Sequence, residues 1–254
     1  MSAARAFAVL LLAGTAALAG AGAPSWAGEA VPVVVETSRG SFVIELYPEL
    51  APRTVARFLE RTDRAEGDEA IPYAGLRVCE SRPHGHLIFG CLPPRDPAVG
   101  PRPPEAEPPI PDEIDAVEMG LDQRILNDPV RIDWLWQQEI YPRYRELRSE
   151  GEPVPEGLRE LVAAVEERGP QQAIPILRGK SWLWYLRAIG YEFDPDGSPL
   201  RFERGAVATA SYWPGEGDAR FLIALTRIPE RDGRATVFGR VVSGWETIDR
   251  ILQI

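Results

Sequence analysis

The sequence contains few of the residues that usually carry metal or cofactor chemistry. Of its 254 residues, only two are cysteine and two are histidine. His84 and His86 flank one glycine in "HGH", which places both imidazoles on the same side of a strand, but a structural zinc site needs about four ligands. The glycine-rich word "PGEGD" (residues 214–218) lacks the lysine and the helix start of a phosphate loop. We therefore predict no metal site and no cofactor.

Positive charge is also scarce. The chain has 28 basic and 38 acidic residues, which gives a formal net charge of −10, and Lys180 is its only lysine. Nucleic acids and anionic membranes carry phosphate groups, which an acidic surface repels. The composition therefore argues against a nucleic-acid partner and against an anionic membrane surface.

Long apolar runs are missing except near the start of the chain. Arg5 is followed by the uncharged stretch "AFAVLLLAGTAALAG", and small residues flank Trp26 in "SWA". A charged start, an apolar core and a small-x-small site are typical of a secretory signal. We predict a signal peptide over residues 1–27 and an exported, periplasmic or secreted, mature chain without a membrane span. The alternative is a membrane anchor, for which the apolar run is marginal in length.

The two cysteines, Cys79 and Cys91, each lie in a strand-like run. In an oxidising compartment, a lone pair is more often a disulfide than two free thiols. The intervening "SRPHG" could turn the chain back, so we predict a disulfide across a hairpin, with free thiols as the alternative. A bridge that closes a loop of about a dozen residues contributes roughly 3 kcal/mol to stability.

Two β-rich regions enclose a helical one. Alternating apolar residues predict a hairpin over residues 31–52, and the word "APRTVARFLERT" predicts a helix. Residues 93–111 are dense in proline and are expected to form an extended surface loop. We predict β-rich regions at residues 30–120 and 199–254, with a helical insert at residues 121–198. Because most strands neighbour each other in sequence, an antiparallel sheet or barrel is favoured.

The order of motifs resembles the cyclophilin family of peptidyl-prolyl isomerases. The matching words are "VETSRGSFVIELYPELAPRTVARFLE", "YAGLRVCESRPHGHLIFGC", "IPDEI", "RGAVATASYWPGEGDARFLIAL" and "DGRATVFGRVVSGWETIDRI". They cover most of the mature chain outside the proline-dense loop and the insert. The insert words "GLDQ" and "AIGYEFD" resemble an insert found in some bacterial cyclophilins. The resemblance implies a mainly β fold, an eight-stranded antiparallel barrel capped by two helices, and isomerisation of Xaa-Pro bonds.

The resemblance also implies a substrate groove, whose usual residues are replaced here. Glu80 stands at the position of the catalytic arginine, and Phe89 at that of a glutamine. Leu222 replaces the phenylalanine beneath the proline ring, and Ala235 replaces a histidine. The predicted groove residues are Glu80, His86, Leu87, Phe89, Trp213, Arg220, Leu222, Glu230 and Ala235.

These replacements have chemical consequences. An ionised Glu80 can only accept hydrogen bonds, so it cannot donate one to the prolyl nitrogen as the arginine does. Losing one transition-state donor costs about 10²–10³ in rate, so we predict weak or absent activity. Glu80 and Arg220 could form a salt bridge, and Arg220 could stand in as the donor. The alternative is that both are solvated surface residues.

The insert is rich in aromatic residues. Such residues more often form the core of a helical subdomain than a ligand site, but they could dock a partner protein. They are Trp134, Trp136, Tyr141, Tyr144, Trp182, Trp184 and Tyr185. Two functions are therefore predicted: an exported isomerase that acts on proline-containing segments, or a non-catalytic module that binds a peptide or protein.

Overall fold

The computed structural model describes residues 9–10, 29–62, 73, 75–94, 110–214 and 220–253. The described residues form two compact units. One, the barrel unit, comprises the residues up to Ile114 and from Asp196 onward, and the other, the helical unit, is Asp115–Pro195. The helical unit thus begins at Asp115, whereas the sequence predicted an insert from Leu121.

The strands and helices follow one another in this order. The strands are β1 (Val9–Leu10), β2 (Val31–Thr37), β3 (Gly40–Leu46), β4 (Arg77–Ser81), β5 (His86–Cys91), β6 (Ala206–Thr209), β7 (Phe221–Ala224) and β8 (Val237–Ser243). The helices are α1 (Pro52–Thr62), α2 (Pro129–Leu135), α3 (Tyr141–Glu150), α4 (Glu156–Arg168), α5 (Ala173–Leu177), α6 (Trp182–Ala188) and α7 (Trp245–Ile251).

All the strands belong to one antiparallel sheet in the order β1-β2-β3-β8-β6-β7-β5-β4. The sheet curls into a half-barrel, and no ladder among the described residues joins β4 to β2. The barrel unit contains two of the helices, α1 and α7. The predicted mainly β, cyclophilin-like fold class is thereby confirmed.

The two faces of the sheet carry two separate apolar clusters, because successive side chains of a strand point to opposite faces. The inner cluster contains Phe42, Phe58, Phe89, Phe221 and Phe238, together with residues of α1 and α7. The outer cluster consists of Ile88, Phe202, Ala206, Ala208, Ala210, Leu222, Ala224, Ile228, Ala235 and Val237. The family's proline-ring position, Leu222, therefore lies in the outer cluster.

The turn between β8 and α7 requires a glycine. Gly244 has a φ of 83°, in the left-handed region, and a Cβ there would lie 2.5 Å from the Cα of Phe42. Thr247 fastens the same corner, because its hydroxyl donates a 2.9 Å hydrogen bond to the carbonyl of Ser41. The first turn of α7 is thus held against β3.

The helical segment that contains α2 and α3 continues past Pro142 instead of ending there. Residues Trp136–Ile140, between α2 and α3, form a π-helical stretch, and Pro142 follows at the start of α3. A proline has no N–H for the preceding turn and clashes with the carbonyl four residues earlier. Insertion of a π-helical stretch is a known way to relieve such a conflict within a helix.

The predicted signal peptide lies outside the described residues except for Val9 and Leu10, whose backbone pairs with Val35 and Val34 of β2. Most of the proline-dense segment also lies outside them. In the part of the chain that the structure describes, no helix is long and apolar enough to cross a membrane.

Candidate functional site

The β4–β5 hairpin carries the predicted disulfide. Cys79 is bonded to Cys91 with a Cα–Cα distance of 5.3 Å. The prediction of a bridge is confirmed, and the alternative of two free thiols is wrong. The ladder between the two strands shifts register on both sides of Val78. The disulfide therefore joins the edge strand β4 to β5 where the hydrogen-bonded ladder is irregular.

Three of the predicted site residues share the outer face. Glu80 pairs with Ile88, and Ile88 pairs with Leu222. Leu222 pairs in turn with Ala208. Ala235 belongs to the same apolar cluster as Leu222. Glu80, Leu222 and Ala235 therefore lie on the same side of the sheet, with Leu222 and Ala235 buried beneath the surface.

Two other predicted residues lie on the opposite face. Leu87 and Phe89 are buried in the inner cluster, and Phe89 stacks on Phe221 with ring centroids 5.0 Å apart. The reason is the two-residue period of a strand: if Ile88 faces outward, its two neighbours must face inward. Leu87 and Phe89, which the family resemblance assigns to the groove, thus lie on the inner side of the sheet, and their role in the groove stays a prediction.

Glu80 is engaged within its own hairpin. Its carboxylate makes an ion pair with Arg82 and lies 3.5 Å from Nε2 of His86. The predicted partner, Arg220, is half-buried next to Phe221, and its carbonyl accepts a 3.3 Å hydrogen bond from Ala210. Among the described residues, Glu80 is therefore paired with neighbours on the hairpin rather than with Arg220.

His86 is buried, with 7% of its surface exposed. Burial, and to a smaller extent the charges of Arg231 and Arg82, lower its pKa to about 4, while Glu80 opposes them. His86 is therefore a neutral imidazole near pH 7, and its environment combines low solvent access with positive charge from two segments of the chain.

Two segments that border the outer cluster are joined by arginine–aromatic contacts. Nη1 of Arg231 donates a 3.1 Å hydrogen bond to the carbonyl of Ser211, and its guanidinium lies 5.3 Å from the Tyr212 ring centroid. The guanidinium of Arg234 lies 4.8 Å from the same ring and 5.9 Å from that of Trp213. We call this set of contacts the arginine–aromatic bridge.

The bridge links the segment after β6 with the segment before β8. Glu230, another predicted site residue, is half-buried and takes part through its carbonyl, which accepts a 3.0 Å hydrogen bond from Nε of Arg234. Sequence reasoning identified Trp213 and Glu230 but not Tyr212, Arg231 or Arg234. The available signal was the pair of arginines around the Asp-Gly turn in "ERDGRA".

The position that the family resemblance places beneath the proline ring has no access to solvent. Leu222 and Ala235 are both 0% exposed. Phe202 and Ile228 belong to the cluster around them, and the Ile228 N–H donates a 2.9 Å hydrogen bond to the Phe202 carbonyl. The sequence analysis did not identify Phe202 or Ile228, because both lie outside the sequence words that carry the family resemblance.

Asp232 fixes the segment that contains Phe202. Its carboxylate accepts a 3.0 Å hydrogen bond from the Phe202 N–H and forms an ion pair with Arg227. Asp232 is itself buried. The apolar side chain that covers the outer cluster is therefore held by a charged hydrogen-bond network.

Glu113, in the predicted "IPDEI" word, caps α1 from a distant part of the chain. Its carboxylate accepts hydrogen bonds from the backbone N–H groups of Arg53 (2.9 Å) and Thr54 (2.8 Å) and from the Thr54 hydroxyl (2.7 Å). Its own N–H donates to Oγ1 of Thr236, next to Ala235. The carboxylate of Glu113 thus has a structural role as a helix cap.

Asp112, the residue before Glu113, is an acid with a raised pKa. Burial, together with the adjacent charge of Glu113, raises its pKa from 3.8 to about 7. Among the described residues, no group of three or more histidine, cysteine, aspartate or glutamate side chains is arranged to hold a metal ion.

Comparison with known protein families matches one part of the chain. The model of the family described as cyclophilin type peptidyl-prolyl cis-trans isomerase/CLD matches residues 147–254. Over these residues, the match agrees with the family resemblance that the sequence words indicated.

Solved structures of a cyclophilin type peptidyl-prolyl cis-trans isomerase from Cryptosporidium parvum are also similar. The structure in the presence of the dipeptide Ala-Pro has 14% sequence identity and a TM-score of 0.45, covering 87% of this chain and 84% of that chain. A second structure of that isomerase has 14% identity and a TM-score of 0.43, covering 88% of this chain and 85% of that chain.

Proposed function

We propose that this protein is an exported cyclophilin-type peptidyl-prolyl isomerase of low activity that binds Xaa-Pro segments of other exported proteins. The observation that carries the proposal is the shared outer face of Glu80, Leu222 and Ala235, at the positions that the family uses for its donor and its ring pocket. The family match over residues 147–254 supports it, and the export of the chain rests on the signal-like start of the sequence.

The low activity follows from what occupies these positions. Rotation about an Xaa-Pro bond has a barrier of about 18–20 kcal/mol, because amide resonance must be broken. A catalyst lowers it by donating a hydrogen bond to the prolyl nitrogen, but Glu80 is an acceptor that is already paired with Arg82. The lost donor alone corresponds to about 10²–10³ in rate.

The test is the isomerisation rate of an Xaa-Pro peptide, measured by NMR exchange spectroscopy. We expect the wild-type protein to exceed the uncatalysed rate by a small factor and Glu80→Arg, which restores a donor, to be faster. Arg220→Ala tests whether Arg220 acts as the substitute donor. A wild-type rate typical of an efficient enzyme would contradict the proposal of low activity.

The second candidate is a non-catalytic binding module, in which the barrel unit is a scaffold and the helical unit docks a partner. The observation that favours it is the complete burial of Leu222 and Ala235, because a ring pocket must open to admit a proline. If the wild-type, Glu80→Arg and Arg220→Ala proteins all show only the uncatalysed rate, this candidate replaces the first.

A further inference from the structure

The helical unit contains a groove between α4 and α6. Its floor is formed by Gly157, Leu161 and Ala164 of α4 and by Trp184 and Ala188 of α6. The α4 residues are spaced at three or four positions, so they form one stripe along the helix. The two helices meet at one end of the groove, where a Cβ on Gly157 would lie 2.8 Å from the Cα of Ala188. This close approach of the helices closes the groove at that end.

Trp184 is partly exposed and does not belong to the buried core of the helical unit. Trp136, Trp182 and Tyr185 are buried, at 4% exposure or less, whereas Trp184 is 36% exposed. The Nζ of Lys180 lies 4.9 Å from the Trp184 ring centroid, an arrangement that holds the ring by a cation–π contact. An ordered, partly exposed indole beside an apolar floor is typical of a binding surface.

The length of the groove limits what it can bind. From Gly157 to Ala164 the α4 stripe rises about 10 Å at 1.5 Å per residue. One turn of polyproline II helix, with three residues at about 3.1 Å each, has nearly the same length. An α-helix of that length would have about seven residues, too few to be stable by itself in water.

The charged rim of the groove is asymmetric. Lys180 and Arg187 lie on the α6 side, and Glu160 lies on the α4 side. In the part of the chain that the structure describes, the side chains of Arg187 and Glu160 make no hydrogen bond or ion pair. The protein as a whole is acidic, with a net charge of −10, but two basic side chains lie beside the exposed tryptophan of this groove. These two charges favour a ligand that carries an acidic residue.

We infer that this groove binds a short proline-containing segment with an acidic residue, supplied by a partner protein, with its prolines against Trp184 and its carboxylate against Lys180 and Arg187. Aromatic-lined grooves bind such segments because polyproline II is already ordered before binding and loses little entropy. The inference rests on the proposal that the helical unit docks a partner and does not depend on isomerase activity in the barrel unit.

Binding of a synthetic peptide, Glu-Pro-Pro-Pro-Glu with blocked ends, to the full-length protein tests the inference. Isothermal calorimetry should give at least a tenfold loss of affinity for Trp184→Ala. The matched control is Trp134→Ala, because Trp134 is 42% exposed and is also contacted by a cation, Arg131 at 4.8 Å, but does not line the groove. Equal affinities of the Trp184→Ala, Trp134→Ala and wild-type proteins would overturn the inference.

A charge exchange tests the acidic preference. The Lys180→Glu/Arg187→Glu variant should lose at least tenfold in affinity for the glutamate peptide and should prefer Lys-Pro-Pro-Pro-Lys. An unchanged preference, or tighter binding of an amphipathic helical peptide than of either proline peptide, would refute the assignment. Isomerase rates of Trp184→Ala separate this site from the barrel unit: we expect them to equal the wild-type rate whether or not that rate exceeds the uncatalysed one.

Discussion

At the scale of single residues, Glu113 connects three parts of the barrel unit. Its carboxylate accepts hydrogen bonds from the first turn of α1, and its N–H donates to Thr236 at the start of β8. The first N–H groups of a helix have no partner within the helix. In α1 they are satisfied by an acid that lies 59 and 60 positions away in sequence.

Replacing Glu113 with alanine should therefore lower stability. The loss of a cap costs about 1–2 kcal/mol, and the buried Thr54 hydroxyl would also lose its acceptor, so we expect about 2 kcal/mol or more in urea unfolding. Glu118→Ala is the control, because Glu118 is an exposed acid of the same segment. Equal unfolding midpoints for the two variants would contradict the capping role.

Asp112 should make stability depend on pH. Its pKa is about 7 in the folded protein and 3.8 when unperturbed, so the folded state binds one more proton than the unfolded state between these values. Stability from this group is present below about pH 4 and is lost as the pH rises to about 7. His86, with its pKa lowered to about 4, acts in the opposite direction up to about pH 6.5.

The variant Asp112→Asn isolates the contribution of the acid. Relative to the wild-type protein, it should gain stability progressively between about pH 4 and about pH 7, because the wild-type protein must bury a charge as Asp112 ionises and the variant does not. Urea unfolding at several pH values measures the difference. A difference that is independent of pH would show that Asp112 is not perturbed.

At the scale of elements, β4 is held to the sheet by few regular contacts. It pairs with β5 alone among the described strands, through a ladder whose register shifts twice, and the Cys79–Cys91 disulfide joins the two strands. A covalent bridge limits the unfolded chain as well as the folded one. The orientation of Glu80, which follows Cys79, thus depends on a bond beside it.

Removal of the bridge should destabilise the protein substantially. For a loop of about a dozen residues, the Cys79→Ser/Cys91→Ser variant should lose roughly 3 kcal/mol in urea unfolding. A reductant should lower the unfolding midpoint of the wild-type protein and leave that of the double variant unchanged. If the reductant affects both proteins equally, the loss does not come from the disulfide.

At the scale of the whole molecule, the helical unit is inserted at a point where the chain leaves and returns to nearly the same place. Ile114 and Ser198 form a parallel bridge, and the Ser198 N–H donates a 2.9 Å hydrogen bond to the Glu113 carbonyl. A Cβ on Gly197 would lie 2.4 Å from the Ile114 N, so the two segments are in close contact. Adjacent ends are typical of an inserted domain.

The barrel unit should therefore fold without the helical unit. We expect a chain in which a Gly-Ser-Gly linker replaces Asp115–Pro195 to form the Cys79–Cys91 disulfide and to unfold in one cooperative transition, measured by circular dichroism. In the intact protein, Gly197→Ala should lower stability, because its side chain has no room. A shortened chain without cooperative unfolding would show that the barrel unit needs the helical unit.

Much of the fold could be predicted from local patterns. The β2–β3 hairpin, the β4–β5 hairpin and α1 each depend on neighbouring residues, and the structure confirms them. The candidate site was predicted less completely. Leu87 and Phe89 were assigned to the groove although the alternation in β5 turns them inward, and Phe202, Tyr212 and Arg231 come from segments whose meeting no local pattern indicates.

The sequence by itself determined the β-rich framework, the cysteine pair and the presence of Glu80 at the position where the family resemblance predicts a donor, because these depend on residue type and on spacing along the chain. Only the tertiary structure decided that Glu80 pairs with Arg82, that Leu222 and Ala235 are sealed from solvent, and that Trp184 stays at the surface while Trp182 is buried. The physical reason is that burial and charge pairing depend on the distances between segments of the chain. The curling of the sheet and the packing of the helices set these distances, and no single segment encodes them.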